Sequence, residues 1–313
     1  MRYYPYSDYL KNKYGEKVYK LPVNLPVSCP NRIDGDGCAF CAGVGTGFEA
    51  MSCSRSVTEQ LTATKELIQR KYHAKKYIAY FQNYTNTFLP VSDFRKYLSE
   101  AAKVEDIVEI SVSTRPDCLT REYLDVMNQI RQETGIDMNI ELGLQTVNYH
   151  TLEMINRGHS LAEFIDAVLM IREYPEFTVC AHVILNLPGD TLADAKETAK
   201  ILSALKIDIV KLHSLYIAKD TRLAQWYQEK KIELCSKEEY IERVIQFLEL
   251  IPETMVVERL FSRVPEKDAL FSNWETSWWK LKDELMEQME QRDSYQGKQF
   301  HYLNGAALDK LQK

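Results

Sequence analysis

No apolar run in this sequence approaches the length needed to cross a bilayer; the longest are broken by polar residues within a few positions. The opening segment, MRYYPYSDYLKNKYGEK, has no uninterrupted hydrophobic stretch, so no signal peptide is expected there; we expect a cytoplasmic protein with no membrane partner. Excess positive charge is also missing. The 39 Lys and Arg against 45 Asp and Glu give a net charge of −6, which argues against nonspecific nucleic-acid binding through the whole surface but leaves a local basic face open. No internal repeat of fixed period and no low-complexity linker is evident. What is present, 45% apolar residues in a chain of 313, can bury a large core as one α/β barrel or two smaller domains.

The seven cysteines are an odd number, and they are uneven: Cys29, Cys38, Cys41 and Cys53 are close together, whereas Cys118, Cys180 and Cys235 are isolated. In a reducing compartment such a cluster points to metal or catalysis rather than disulfides. The segment VSCPNRIDGDGCAFCAG gives the spacing Cys29-x8-Cys38-x2-Cys41. Three thiolates suit a cubane iron–sulfur cluster with its fourth iron open to a ligand. The Cys38-x2-Cys41 pair equally suits a structural zinc site with Cys53 as the fourth ligand. Spacing leaves both open. Cys53, Cys118, Cys180 and Cys235 share no metal-ligand spacing and are expected to be small packing residues. His182 and His213, within apolar strand runs, are expected to face an interior cavity.

From residue 57 to about 217, helix-like and strand-like segments alternate as crossover units of a parallel sheet do. Helices are predicted over 57–72, 91–103, 120–134, 160–173 and 192–204; Ser56 with Glu59 and Ser160 with Glu163 form capping boxes. The β-rich runs KYIAYFQ, IVEISVS, MNIELGLQT, FTVCAHVIL and IVKLHSLY, with a strand before Cys29, make six strands. Six parallel strands suit an open doubly wound sheet or an incomplete barrel. Further helices are predicted at 221–230, at 237–250 behind the box of Ser236 and Glu239, and near 276–292, with the apolar stretch TMVVERLF between the last two. The expected organisation is a basic, tyrosine-rich arm over 1–20, a barrel over 21–217 and a packed C-terminal extension over 218–313. The arm's Arg2, Lys11, Lys13, Lys17 and Lys20, interleaved with tyrosines, offer the charge and stacking surface that looped nucleic acid needs, and equally suit an arm packed on the barrel.

The stretches KVYKLPV, CPNR, GCAFC, AYFQNYTNTF, STRPDCL, ELGLQT, NRGH, HVILNLPGDT and QGK, in that order, resemble the radical S-adenosylmethionine (SAM) superfamily, specifically its YhcC/YtqA type, related to the radical domain of the Elongator catalytic subunit. The resemblance spans almost the whole chain. It implies an α/β fold, a partial (β/α)6 TIM-like barrel, with a 4Fe–4S cluster on Cys29, Cys38 and Cys41. S-adenosylmethionine would lie across the strand ends, where ligand sites of parallel α/β folds form. By the resemblance, Gln82 and Asn83 approach the methionyl amine, Glu141 or Gln145 the ribose, and the Val183 to Leu185 backbone the adenine. Ser113, Thr114 and Arg115 end the third strand and complete the expected pocket. Arg115 or Arg157 suits the methionyl carboxylate; a turn ion pair of Arg115 with Asp117, and a helix C-cap for Arg157, are the plainer alternatives. The resemblance also implies a one-electron donor such as flavodoxin or ferredoxin, and tRNA, modified at its wobble uridine, as the leading substrate class. A small metabolite or peptide substrate, and a noncatalytic zinc protein, are the rivals.

Overall fold

The computed structural model describes residues 1–33, 35–42, 50–263 and 268–300. Its elements run α1 Tyr6–Tyr14, β1 Val18–Val23, α2 Val57–Tyr72, β2 Lys76–Phe81, α3 Val91–Ala102, β3 Ile107–Thr114, α4 Arg121–Thr134, β4 Asp137–Gln145, α5 Tyr149–Met154, α6 Leu161–Ile171, β5 Thr178–Ile184, α7 Leu192–Ala204, β6 Ile209–His213, β7 Tyr216–Ala218, α8 Arg222–Gln228, α9 Lys237–Leu250, β8 Val256–Arg259, β9 Ala269–Ser272 and α10 Trp278–Gln291. The main sheet has the strand order β1-β2-β3-β4-β5-β6-β8. The fold is the α/β, TIM-like partial-barrel class expected from the sequence, with seven strands where six were expected. Two compact units share the chain, one comprising Ser7–Leu144 with Ile155–Cys180, the other Met1–Tyr6, Gln145–Met154 and the chain from Ala181.

In the first unit β1, β2, β3 and β4 pair in parallel, with Tyr77 to Phe81 on β2 and Ser111 opposite Asn139, Ser113 opposite Glu141. Alternation decides which side chain goes where. Ile110 and Val112 of β3 and Met138, Ile140 and Leu142 of β4 are buried, and α3 packs on β3 and α4. Phe94 and Leu98 of α3 are fully buried, each worth about 1.5–3 kcal/mol of hydrophobic stabilisation. The opposite positions are polar and also buried: Glu109, Ser111, Ser113, Asn139 and Glu141.

Helix starts follow the capping chemistry read from the sequence. The boxes of Ser56 with Glu59, Ser160 with Glu163 and Ser236 with Glu239 are all formed, and Thr191 with Asp194 adds another. Within the residues expected as an arm lies helix α1. Tyr14 Oη donates to Glu109 Oε2 at 2.9 Å and Asp137 Oδ2 at 2.8 Å, and Lys13 Nζ sits 3.0 Å from Asp137.

In the second unit β6 pairs in parallel with β8, and β7 pairs antiparallel with β9. The predicted strand IVKLHSLY therefore divides at Ser214. The Ser214 hydroxyl donates to Asn273 Oδ1 at 2.6 Å and accepts from the Ser262 amide at 2.9 Å, turning the chain out of the sheet into the small ribbon. The seventh strand lies in TMVVERLF, whose four-residue β8 is too short to carry a clear alternation. Of the extension, 264–267 and 301–313 lie outside the described residues.

Candidate functional site

The cysteine loop begins just past β1. Cys29 caps a short 3-10 turn over Pro30–Arg32, and the Arg32 side chain reaches forward to donate to the carbonyls of Cys41 at 3.0 Å and Ala42 at 2.6 Å. Gly37, at φ +84°, donates its amide to the Asn31 carbonyl at 2.9 Å; only glycine takes that conformation without strain. Cys38 is buried, and Cys29 and Cys41 are half-buried. Residue 34 and residues 43–49 of the loop lie outside the described residues.

A second segment, Ile155 to His159, walls this loop. The Ala39 amide donates to the Ile155 carbonyl at 2.8 Å. Asn31 Nδ2 donates to the carbonyls of Asn156 at 2.7 Å and Arg157 at 3.0 Å, while Asn156 Nδ2 donates to the Gly37 carbonyl at 2.9 Å. Gly158, at φ +77°, has Asn31 Oδ1 and Arg115 Nη2 pressed against its Cα, where a Cβ would meet them at 2.3 and 2.9 Å.

Polar hydrogens converge on the sulfurs. Asn31 Nδ2 and Arg157 Nη1 each approach Cys38 Sγ at 3.6 Å, and Arg115 Nη1 approaches Cys29 Sγ at 3.6 Å. Arg115 is held by Asp117, with Nε at 2.9 Å and Nη2 at 2.6 Å, and by the Gly158 carbonyl at 3.0 Å. The turn ion pair and the cysteine contact therefore coexist. Burial pushes the Cys41 thiol upward, with the neighbouring Cys38 adding to the rise, against Arg32 and Arg157, which pull it down. Burial and Asp117 push Cys118 up to about 12.

Three cysteine sulfurs, with asparagine and arginine N–H groups on those of Cys29 and Cys38, are a donor set that fits a cubane cluster with one iron open. Arg157 Nε is buried with no acceptor among the described residues, so the wall presents an unused donor beside the sulfurs.

Other predicted residues surround the strand ends of the same unit. The Gln82 amide donates to the Val23 carbonyl at 3.3 Å. Asn83 is buried, and its Oδ1 has no partner among the described residues. Ser113 Oγ donates to Tyr80 Oη at 3.2 Å, and Thr114 Oγ1 lies 2.6 Å from Thr87 Oγ1. Glu141 accepts from Lys20 Nζ at 2.6 Å, Ser111 Oγ at 2.8 Å and Tyr80 Oη at 2.9 Å. Gln145, Val183 and Leu185 belong to the other unit; there the Leu185 carbonyl accepts from Arg243 Nη1 at 2.9 Å, and Val183 is buried. In that unit the rings of His182 and His213 lie 5.4 Å apart.

Sequence reasoning missed Asn31, Asp117 and Gly158 as parts of the cysteine site, and Lys20, Tyr80, Ser111 and Asn139 as a buried polar network. The period-2 polar positions of IVEISVST and MNIELGLQ signal the second group. The first is joined by contacts more than a hundred residues apart, such as Asn31 to Asn156, which no local pattern reports.

The pattern of the Radical SAM superfamily matches residues 23–202, and that of the Radical SAM C-terminal domain matches 207–291. YtqA of Bacillus subtilis is 34% identical over 306 residues, covering 96% of this chain and 94% of its own. YhcC of Escherichia coli K12 is 33% identical over 273 residues, 86% of each chain. A tRNA uridine(34) acetyltransferase of Methanocaldococcus jannaschii is 23% identical over 176 residues, covering 54% of this chain and 31% of its own. The solved structure of archaeal Elp3 from Methanocaldococcus infernus, lacking residues 1–46, superposes with a TM-score of 0.68 at 17% identity. It shares the fold over 89% of this chain, which spans 64% of the Elp3 chain, less than two thirds. With matched patterns over most of its length and full-length relatives at a third identity, the chain belongs to the radical SAM superfamily.

Proposed function

We propose that Cys29, Cys38 and Cys41 hold a 4Fe–4S cluster whose open iron takes S-adenosylmethionine, and that the protein is a radical SAM enzyme. The observation that carries the reading is the set of arginine and asparagine N–H groups that approach the sulfurs of Cys29 and Cys38, the kind of donor that surrounds ligand sulfurs. When bound and reduced by an external one-electron donor such as flavodoxin or ferredoxin, cluster and cofactor together supply a 5′-deoxyadenosyl radical that takes a hydrogen atom from substrate. The protein's own residues bind and orient. Asn83 Oδ1, buried and without a partner among the described residues, is suited to accept from the methionyl ammonium. Glu141 already takes hydrogen bonds from Lys20, Ser111 and Tyr80, so its part is to fix the polar face of the strands. The ribose contact of Gln145 and the adenine contacts of Val183 and Leu185 rest on the family resemblance.

For the substrate we propose tRNA, with the wobble uridine as the modified base. The support is the relative named for uridine 34 of tRNA, an argument by analogy. The N-terminal segment adds less than its composition promises: Lys13 and Lys20 are paired with Glu109, Asp137 and Glu141, and Tyr3 and Tyr6 are buried. That packing favours the second reading, a small metabolite or peptide substrate.

The test of the chemistry is anaerobic reconstitution with iron and sulfide, reduction, and measurement of 5′-deoxyadenosine from S-adenosylmethionine, with Cys38→Ala as control. Product that disappears in Cys38→Ala is expected. Stoichiometric zinc with no cofactor cleavage would overturn the reading.

A further inference from the structure

Two guanidinium groups are buried beside the cysteines, with Arg115 3% and Arg157 8% exposed. A buried cation is tolerated only where an anion and hydrogen-bond acceptors receive it. Arg115 has Asp117 as its anion. Arg157 has none among the described residues: its hydrogen bonds go to the Gly143 carbonyl at 2.8 Å and to Cys38 Sγ at 3.6 Å, and its Nε has no acceptor. The group facing Arg157 is therefore the Cys38 sulfur and whatever that sulfur binds. Both groups are also fixed in direction. Gly143 aims Arg157, while Asp117 and the Gly158 carbonyl aim Arg115 at Cys29. Such anchoring spends the forked face that a carboxylate of S-adenosylmethionine would need on Arg115.

We infer that Arg157, seconded by Arg115, is a positioning residue of the cluster: it donates to the ligand sulfur, holds it in place, and raises the potential at which the cluster accepts its electron. The inference rests on the reading that Cys29, Cys38 and Cys41 hold a 4Fe–4S cluster. Three thiolates leave such a cluster anionic in both oxidation states and more so when reduced, so N–H donors on the sulfurs stabilise the reduced form more. The same contact explains why Arg157 is followed by Gly158. The left-handed turn at φ +77° brings the segment against Asn31 and Arg115, with no room for a Cβ.

The experiment uses the full chain, reconstituted anaerobically, with a redox titration of the cluster in the absence of S-adenosylmethionine and equilibrium dialysis of the cofactor against the iron-loaded protein. In Arg157→Gln the midpoint potential is expected to shift negative and resistance to an iron chelator to fall by about tenfold or more, with cofactor affinity near that of the wild type. Arg157→Lys, which keeps the charge and one donor, is expected to fall between. If Arg157→Gln folds normally by circular dichroism but takes up no iron, the positioning role is supported, and the potential is read in Arg157→Lys. An unmoved potential with cofactor affinity reduced about tenfold would overturn the inference and assign Arg157 to the cofactor's carboxylate. Wild-type protein that takes up no iron would instead refute the cluster reading itself.

Discussion

At Gly158 the backbone, the cysteine loop and Arg115 meet within contact distance, which makes this single residue a sensitive test of the wall. Gly158→Ala is expected to destabilise the protein by about 1–3 kcal/mol, from the left-handed conformation it must keep, and to lower iron uptake; urea unfolding and iron analysis read the two effects. Wild-type values for both would mean the wall is incidental. The neighbouring His159 gives a pH signature. Burial, then the Arg157 cation, lower it to about 4 against the two carbonyls of Ser160 and Gly143. The folded state thus disfavours the proton, so stability is full above the unfolded value of about 6.5 and is lost as pH falls toward 4, by about 3 kcal/mol. Asp190 acts the other way. Burial raises it to about 6, so its ionisation costs stability above that value and the cost is relieved as pH falls. Denaturant midpoints between pH 6.5 and 4 should therefore fall less in His159→Gln than in wild type, and more in Asp190→Asn. The cysteines were legible at this scale because their spacing is local, whereas their partners Asn31, Arg115 and Arg157 converge only after folding.

Strands β3 and β4 carry their chemistry on one face, and that face is sealed by hydrogen bonds from β1 and β2: Lys20 and Tyr80 to Glu141, Ser111 to Glu141, and Asn139 to Ser111. The Glu141 side chain is fully buried and that of Lys20 only 16% exposed. Removing one partner of such a pair strands the other charge, so Lys20→Met is expected to cost about 3–5 kcal/mol. The double variant Lys20→Met/Glu141→Gln should recover much of that loss in a double-mutant cycle; additive losses would mean the two charges are independent. Helices were legible because capping boxes mark their starts, and α9 runs over Lys237–Leu250 as read. Helix α1 escaped because its tyrosines and lysines read as surface, yet Tyr14 and Lys13 are committed to Glu109 and Asp137. Strand β8 escaped because four residues give periodicity too little to work on.

Over the whole molecule, the net charge of −6 leaves only local surfaces for a polyanion. Lys11 and Lys17 are exposed in the N-terminal segment, as is Lys13, which is paired with Asp137. If tRNA contacts Lys11 and Lys17, replacing both by Gln should weaken binding and flatten its salt dependence by about 0.7–0.9 per lost phosphate contact; an unchanged slope would detach the segment from the substrate. The central claim is that three cysteines hold a cluster with one iron open. Its most direct measurement is the electron paramagnetic resonance spectrum of the reduced, reconstituted protein before and after adding S-adenosylmethionine. The account predicts a 4Fe–4S signal that the cofactor shifts and that is lost in Cys38→Ala. A signal that the cofactor leaves unmoved, or a protein that carries zinc and gives no signal, would contradict it.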